Sequence, residues 1–163
     1  MAMLDDYRDH LDNIILLSST TSADSQEKCD RRRREIELIK AGKKNTLARL
    51  VPHAGFAPEN VKRLQDYIED ISELILMTED EGVIAILGGM IERQSRGDML
   101  RESGIPHLFI FGRHDYYIPE EVAEEMIAED PTAEVVWLEH SGHMGFIEEP
   151  ELCANAVLDM ILK

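Results

Sequence analysis

Two short apolar runs late in the chain, His107–Phe111 (HLFIF) and Glu134–Leu138 (EVVWL), constrain the fold more than any other feature. Both are rich in branched or aromatic residues, the signature of strands buried on both faces of a parallel sheet. Between them, Pro119–Glu129 sets Val122, Met126 and Ile127 at helical spacing. Pro119 suits a helix's first turn, and the neighbouring glutamates complement the helix dipole. Glu151–Leu162 repeats the pattern with Leu152, Ala156, Val157, Met160 and Ile161. Strand, helix, strand, helix predicts a parallel βαβ unit with a right-handed crossover.

A third run of the same kind, Asn13–Ser18 (NIILLS), stands near the start, and the segment after it has a different character. From Ala23 to about Ser103 the patterns are helical, broken by Gly and Pro. Ser25–Ala41 is a charged helix, Thr46–Val51 a short one, and Glu79–Arg93 holds VIAIL and then Gly88-Gly89, a hinge or a close helix contact. Pro58–Met77 carries Val61, Leu64, Ile68, Ile71 and Leu74 at three- and four-residue steps, with Pro58 just inside its start. The expected class is α/β: a short parallel sheet of about three strands with flanking helices and a helical insertion. The expected divisions are 1–22 with 104–163 for the sheet-bearing core and 23–103 for the insertion.

Chemistry concentrates in two loops. The second strand runs into Gly112-Arg113-His114-Asp115-Tyr116-Tyr117-Ile118-Pro119, the third into Glu139-His140-Ser141-Gly142-His143-Met144-Gly145-Phe146. In an open parallel sheet, reactive groups sit just past the carboxyl ends of the strands. Asp115 and His143 both fall there, on strands that the crossover rule makes neighbours. A carboxylate beside an imidazole fixes its tautomer and stabilises the imidazolium, as a general base requires. The plainer alternatives stay open: Asp115 as a carboxylate at a helix start, His143 as a solvated loop residue, or His140, His143 and Asp115 as metal ligands. Arg113 and His114 are expected to position neighbours, and Tyr116 and Tyr117 to pack or line a pocket.

The stretch Ile105–Glu151 resembles the end of an α/β hydrolase. That family has a strand ending in G-x-x-D, an x-x-P helix start, and a G-H loop before an E-x-P helix. The counterparts are Gly112…Asp115, Ile118-Pro119, Gly142-His143 and Glu149-Pro150. The order acid then histidine also fits the family's Ser…Asp…His sequence. Tyr7–Leu17 resembles the end of the helix after the nucleophile elbow running into the sixth strand, although Arg8 stands where members often have Pro. The resemblance then implies that the helical middle is the cap (lid), and that Asp115 and His143 are catalytic, with no cofactor and no metal.

The elbow itself, G-x-S-x-G, occurs nowhere in the 163 residues. The resemblance puts it, with the oxyanion-hole loop, upstream of Met1. Ser18 and Ser19 lack glycines for a strained turn, and Ser141 is too near His143 to replace it. The expectation is therefore the C-terminal portion of a serine hydrolase acting on an ester, thioester, lactone or amide, inactive without its N-terminal half. A non-catalytic binding protein derived from the same fold is the alternative. The partners expected are a small-molecule substrate, and either the missing half or a second copy at the exposed sheet edge.

Composition excludes more than it assigns. A formal charge of −16 disfavours nucleic acid and anionic membrane as partners. The two cysteines, Cys29 and Cys153, form no CxxC or zinc spacing, which fits a reduced setting. With no signal-peptide pattern from Met1 to Asp6, the expected location is cytoplasmic.

Overall fold

In the computed structural model, which describes residues 3–163, every residue of the strand His107–Gly112 (β2) is buried. The reason is its place in the middle of a three-stranded parallel sheet, between Ile14–Leu17 (β1) and Glu134–Leu138 (β3). Leu16 pairs with Phe109 on one side, and Phe109 with Val135 on the other. In chain order the helices are α1 (Met3–Tyr7), α2 (Gln26–Lys40), α3 (Lys44–Ala54), α4 (Gln65–Met77), α5 (Asp80–Glu92), α6 (Gly97–Ser103), α7 (Glu120–Glu129), α8 (Gly145–Glu148) and α9 (Pro150–Ile161). A 3-10 turn, Arg8–His10, comes directly after α1. Met1 and Ala2, on which the expected leaderless start partly rests, lie outside the described residues.

The period-two alternation of a strand splits β2 between two cores. Phe109 and Phe111 face one way, packed with Leu4 of α1, Leu16 of β1, Leu100 of α6, and Ala123 and Met126 of α7. Phe111 lies 5.9 Å from Phe109 and 5.4 Å from Trp137, centroid to centroid, in tilted pairs. Leu108 and Ile110 face the other way, against Leu138 of β3 and Cys153 and Met160 of α9. Burial of each such side chain stabilises the fold by about 1.5–3 kcal/mol, so the sheet is held from both faces. Burial also pushes the Cys153 thiol up, which leaves it protonated and inert.

The chain divides into two compact units. One holds the sheet: the residues up to Thr21, then Gly55–Asn60, then Arg96–Lys163. The other holds Ser22–Ala54 and Val61–Ser95, where α2 packs on α5 and α3 on α4. Its interior is small: Ile39, Ala48, Leu64 and Ile68 are buried. Polar ties supplement it. Asp24 accepts from Arg32 and, at 3.0 Å, from Arg93, and the Lys44 ammonium donates to the Thr78 carbonyl at 2.7 Å. Ser25 caps α2 by accepting from the Lys28 N–H at 3.3 Å. Among the described residues, no helix is long and apolar enough to cross a membrane.

The strand expectations at Asn13–Ser18, His107–Phe111 and Glu134–Leu138 match the observed strands to within a residue at each end. The helix expected from Pro58 begins only at Gln65, and residues 58–64 are turns. The Asn60 side chain explains the delay, because it donates across to the His140 carbonyl at 2.6 Å and to Glu148 at 3.0 Å. An Asn engaged in this way competes with helix formation. Of the two readings of Gly88 and Gly89, the structure bears on the close contact alone, since a Cβ on either would meet nothing within 4 Å among the described residues. They mark no close helix contact.

Candidate active site

The carboxyl ends of β2 and β3 open into two loops that the backbone stitches together. The Arg113 N–H donates to the Leu138 carbonyl at 3.0 Å, and the His114 N–H to the Ser141 carbonyl at 2.9 Å. This approach requires glycine at two places. A Cβ on Gly112 would collide with the Ser141 and Gly142 carbonyls, and one on Gly142 would stand 2.8 Å from the Ala57 nitrogen. Arg113 adds a side-chain brace: it pairs with Glu120 and Glu139 and lies 4.0 Å over the Trp137 ring.

Asp115 and His143 meet in this framework. Nδ1 of His143 lies 2.8 Å from Oδ2 of Asp115, whose side chain is 1% exposed. The other carboxylate oxygen, Oδ1, accepts from the backbone N–H of Tyr117 at 2.7 Å and of Ile118 at 3.0 Å. Two donors on one oxygen fix the plane of the carboxylate and leave Oδ2 for the ring. The imidazole therefore donates from Nδ1, and Nε2 is left as the acceptor. Among the described residues nothing bonds Nε2, and the side chain is 32% exposed. Tyr117 packs edge-on against the ring at 5.1 Å and limits its rotation, while Tyr116 is exposed.

The other candidates go elsewhere. Nδ1 of His140 lies 3.1 Å from Glu59, away from Asp115, and the described residues hold no group of three or more His, Cys, Asp or Glu placed to share a metal ion. The Ser141 hydroxyl is fully buried and donates to Glu149 at 2.7 Å. Ser18 corrects an expectation: despite having no adjacent glycine, it holds a φ of 42°. Its hydroxyl is buried and bonds no group among the described residues, and neither serine hydrogen-bonds to His143. Three contributors escaped the sequence reading: Gly55, Asn60 and Glu148. Gly55 accepts from the N–H groups of His143, at 2.8 Å, and Met144, at 3.1 Å. Only Glu148 left a signal, as a carboxylate five residues after the histidine and just ahead of a helix.

No protein-family model matches the chain, and no curated protein matches it either. Solved structures do. An esterase from Thermogutta terrifontis, with malate bound, is 29% identical and superimposes with a TM-score of 0.88 over 98% of this chain and 59% of its own. The enol-lactonase of Burkholderia xenovorans LB400 is 19% identical, with a TM-score of 0.85 over 99% of this chain and 60% of its own. An α/β hydrolase from a Medee basin deep-sea metagenome library is 17% identical, with a TM-score of 0.84 over 99% and 60%. The fold is that of part of an α/β hydrolase. The chain spans about 60% of the length of these α/β-hydrolase structures. The likeness takes in the helical unit as well as the sheet, since it covers almost all of this chain.

Proposed function

We propose that this chain is the acid- and base-bearing portion of a serine-type α/β hydrolase acting on an ester, thioester, lactone or amide. One observation carries the reading: the buried Asp115 carboxylate holds Nδ1 of the His143 ring, and Nε2 of this partly exposed side chain has no partner among the described residues. In the proposed reaction, His143 Nε2 takes the proton of a serine hydroxyl as it attacks the carbonyl, then returns it to the leaving group. Asp115 keeps the tautomer and stabilises the imidazolium without itself taking the proton. The helical unit serves as the cap over a small-molecule substrate. The two free thiols, Cys29 and Cys153, favour a cytoplasmic setting. Esterase and lactonase neighbours both favour acyl transfer to water.

The nucleophile comes from outside these residues, because no G-x-S-x-G occurs among them. The test is complementation: an elbow-bearing segment, such as the corresponding part of the Thermogutta terrifontis esterase, is supplied and a short p-nitrophenyl ester assayed. Activity that appears with the segment and disappears in His143→Ala supports the reading. Activity that survives His143→Ala overturns it. A second reading, a binding protein without catalysis, draws on the open edge of β1, which pairs with β2 on one side only. Complementation that yields a stable complex but no turnover favours it.

A further inference from the structure

We propose that Glu148 is a positioning residue that sets His143 in place for its partner; the proposal rests on reading His143 as the base. Asp115 holds the imidazole, but nothing in that pair holds the backbone from which the imidazole projects. Glu148 does. Its side chain is buried, at 5% residue exposure, and both carboxylate oxygens are engaged by the chain itself. Oε2 accepts from the Gly142 N–H at 2.7 Å, immediately before His143. Oε1 accepts from the Ala57 N–H at 2.7 Å and from the Asn60 side-chain amide at 3.0 Å.

The residues on the far side of that carboxylate are themselves fastened to the histidine loop. The Gly55 carbonyl takes the His143 and Met144 N–H groups, and the Asn60 amide reaches the His140 carbonyl. The loop from His140 to Met144 is thus gripped on both flanks of His143 by Gly55–Asn60, and Glu148 joins the two backbones. Gly142 allows them to touch, since a Cβ there would lie within 3 Å of Gly55, Phe56 and Ala57 backbone atoms. The chemistry demands a carboxylate. Donors converge on it from both sides, and only a group with two acceptor oxygens and no N–H of its own satisfies both. A glutamine in the same place would aim its NH2 at a backbone N–H.

The test uses the 163-residue chain labelled with 15N-histidine, read by the Nδ1 proton of His143, which reports the bond to Asp115 whatever the reaction. In Glu148→Gln the exchange of that proton should accelerate about tenfold or more, because a local opening now frees the ring. The exposed Glu151→Gln should leave it unchanged. In the complemented hydrolase, Glu148→Gln should lower kcat by about 10- to 100-fold with KM little altered, the signature of a displaced rather than a lost group. A folded Glu148→Gln protein with the parent's Nδ1 exchange overturns the proposal. Should that variant fail to fold, Asn60→Ala removes one arm and leaves the carboxylate; exchange about threefold faster supports the proposal, and parental exchange overturns it. If the Nδ1 proton responds while the complemented protein hydrolyses nothing, positioning stands and the hydrolase reading falls.

Discussion

Nε2 of His107, at the start of β2, lies 3.0 Å from the Asp130 carboxylate with both side chains buried in the sheet unit. Nδ1 of the same ring lies 2.8 Å from the Ile105 carbonyl, so both ring nitrogens face oxygen atoms. Asp130 in turn receives the Thr132 hydroxyl at 2.6 Å and its N–H at 3.2 Å. The pair sits where α7 ends and the chain turns toward β3, locking the crossover that brings the Asp115 and His143 loops together.

Burial works to raise the Asp130 carboxyl, but the Thr132 bonds and the attraction to His107 outweigh it, and the net direction is down. Asp24 in the helical unit is likewise held low: burial works against it, and Arg32 and Arg93 prevail. A carboxyl depressed on folding stabilises fully above its unfolded value, near 4, and loses that contribution as pH falls through the lower folded value. Stability should therefore decline from about pH 4 downward. Urea midpoints measured from neutral pH to pH 2 should show it, and Asp130→Asn should flatten the acid limb. His107→Ala should cost about 1–3 kcal/mol at pH 7, since it leaves Oδ2 of a buried carboxylate without its partner while Thr132 still holds Oδ1; a change under about 0.5 kcal/mol would contradict the buried pairing.

The Asp115–His143 bond makes a sharper demand. In Asp115→Asn the amide can present its NH2 to Nδ1 and so favour the opposite tautomer, with the proton on Nε2. The complemented enzyme should lose about 10³–10⁴-fold in kcat while the fold survives, because the backbone bonds from Tyr117 and Ile118 can still find the remaining oxygen. The 15N shifts of His143 in the chain alone should show the tautomer exchanged. A variant that retains the parent's tautomer and activity would remove Asp115 from the mechanism.

The range of the forces involved decides how much of the molecule could be read in the sequence. Phe109, Ile110 and Val136 declare a buried strand because burial on both faces selects apolar residues at every position. The meeting of Asp115 and His143 was legible because each loop carries its candidate residue at a fixed offset from a strand end. Gly55, Asn60 and Glu148 were not, because the bonds that join them to one another and to the histidine loop mostly span 80 residues or more and mostly end on backbone groups. A backbone N–H leaves no mark in the identity of its residue. Pro58 misled for a related reason: local propensity favours a helix start there, whereas the long-range bonds of Asn60 decide the conformation.

Glycines separate close approach from mere permissiveness. Gly142→Ala should destabilise by about 2 kcal/mol or more, and Gly112→Ala at least as much, since the new methyl meets backbone that cannot yield. Gly88→Ala and Gly89→Ala, inside α5 with open space around them, should each stabilise by about 0.5–1 kcal/mol. Thermal melts of the four variants decide the matter. The prediction is wrong if the two pairs shift in the same direction.

The open edge of β1 yields the last prediction. Ile14, Ile15 and Leu17 are half-buried, and among the described residues β1 pairs with no strand but β2. An apolar strand with one row of N–H and C=O groups unpaired is a template for another strand, and a charge placed on it opposes that pairing. The chain alone should associate in a concentration-dependent way in light scattering, through a second copy adding to this edge. Ile15→Lys should shift the population toward monomer, and so should an elbow-bearing segment supplied in excess, because it competes for the same edge. Monomer at every concentration in the parent protein would show that the edge is protected by some means other than pairing. Association that Ile15→Lys leaves intact would place the contact elsewhere, with the exposed Leu74, Met77 and Ile86 of the helical unit as the surface to mutate next.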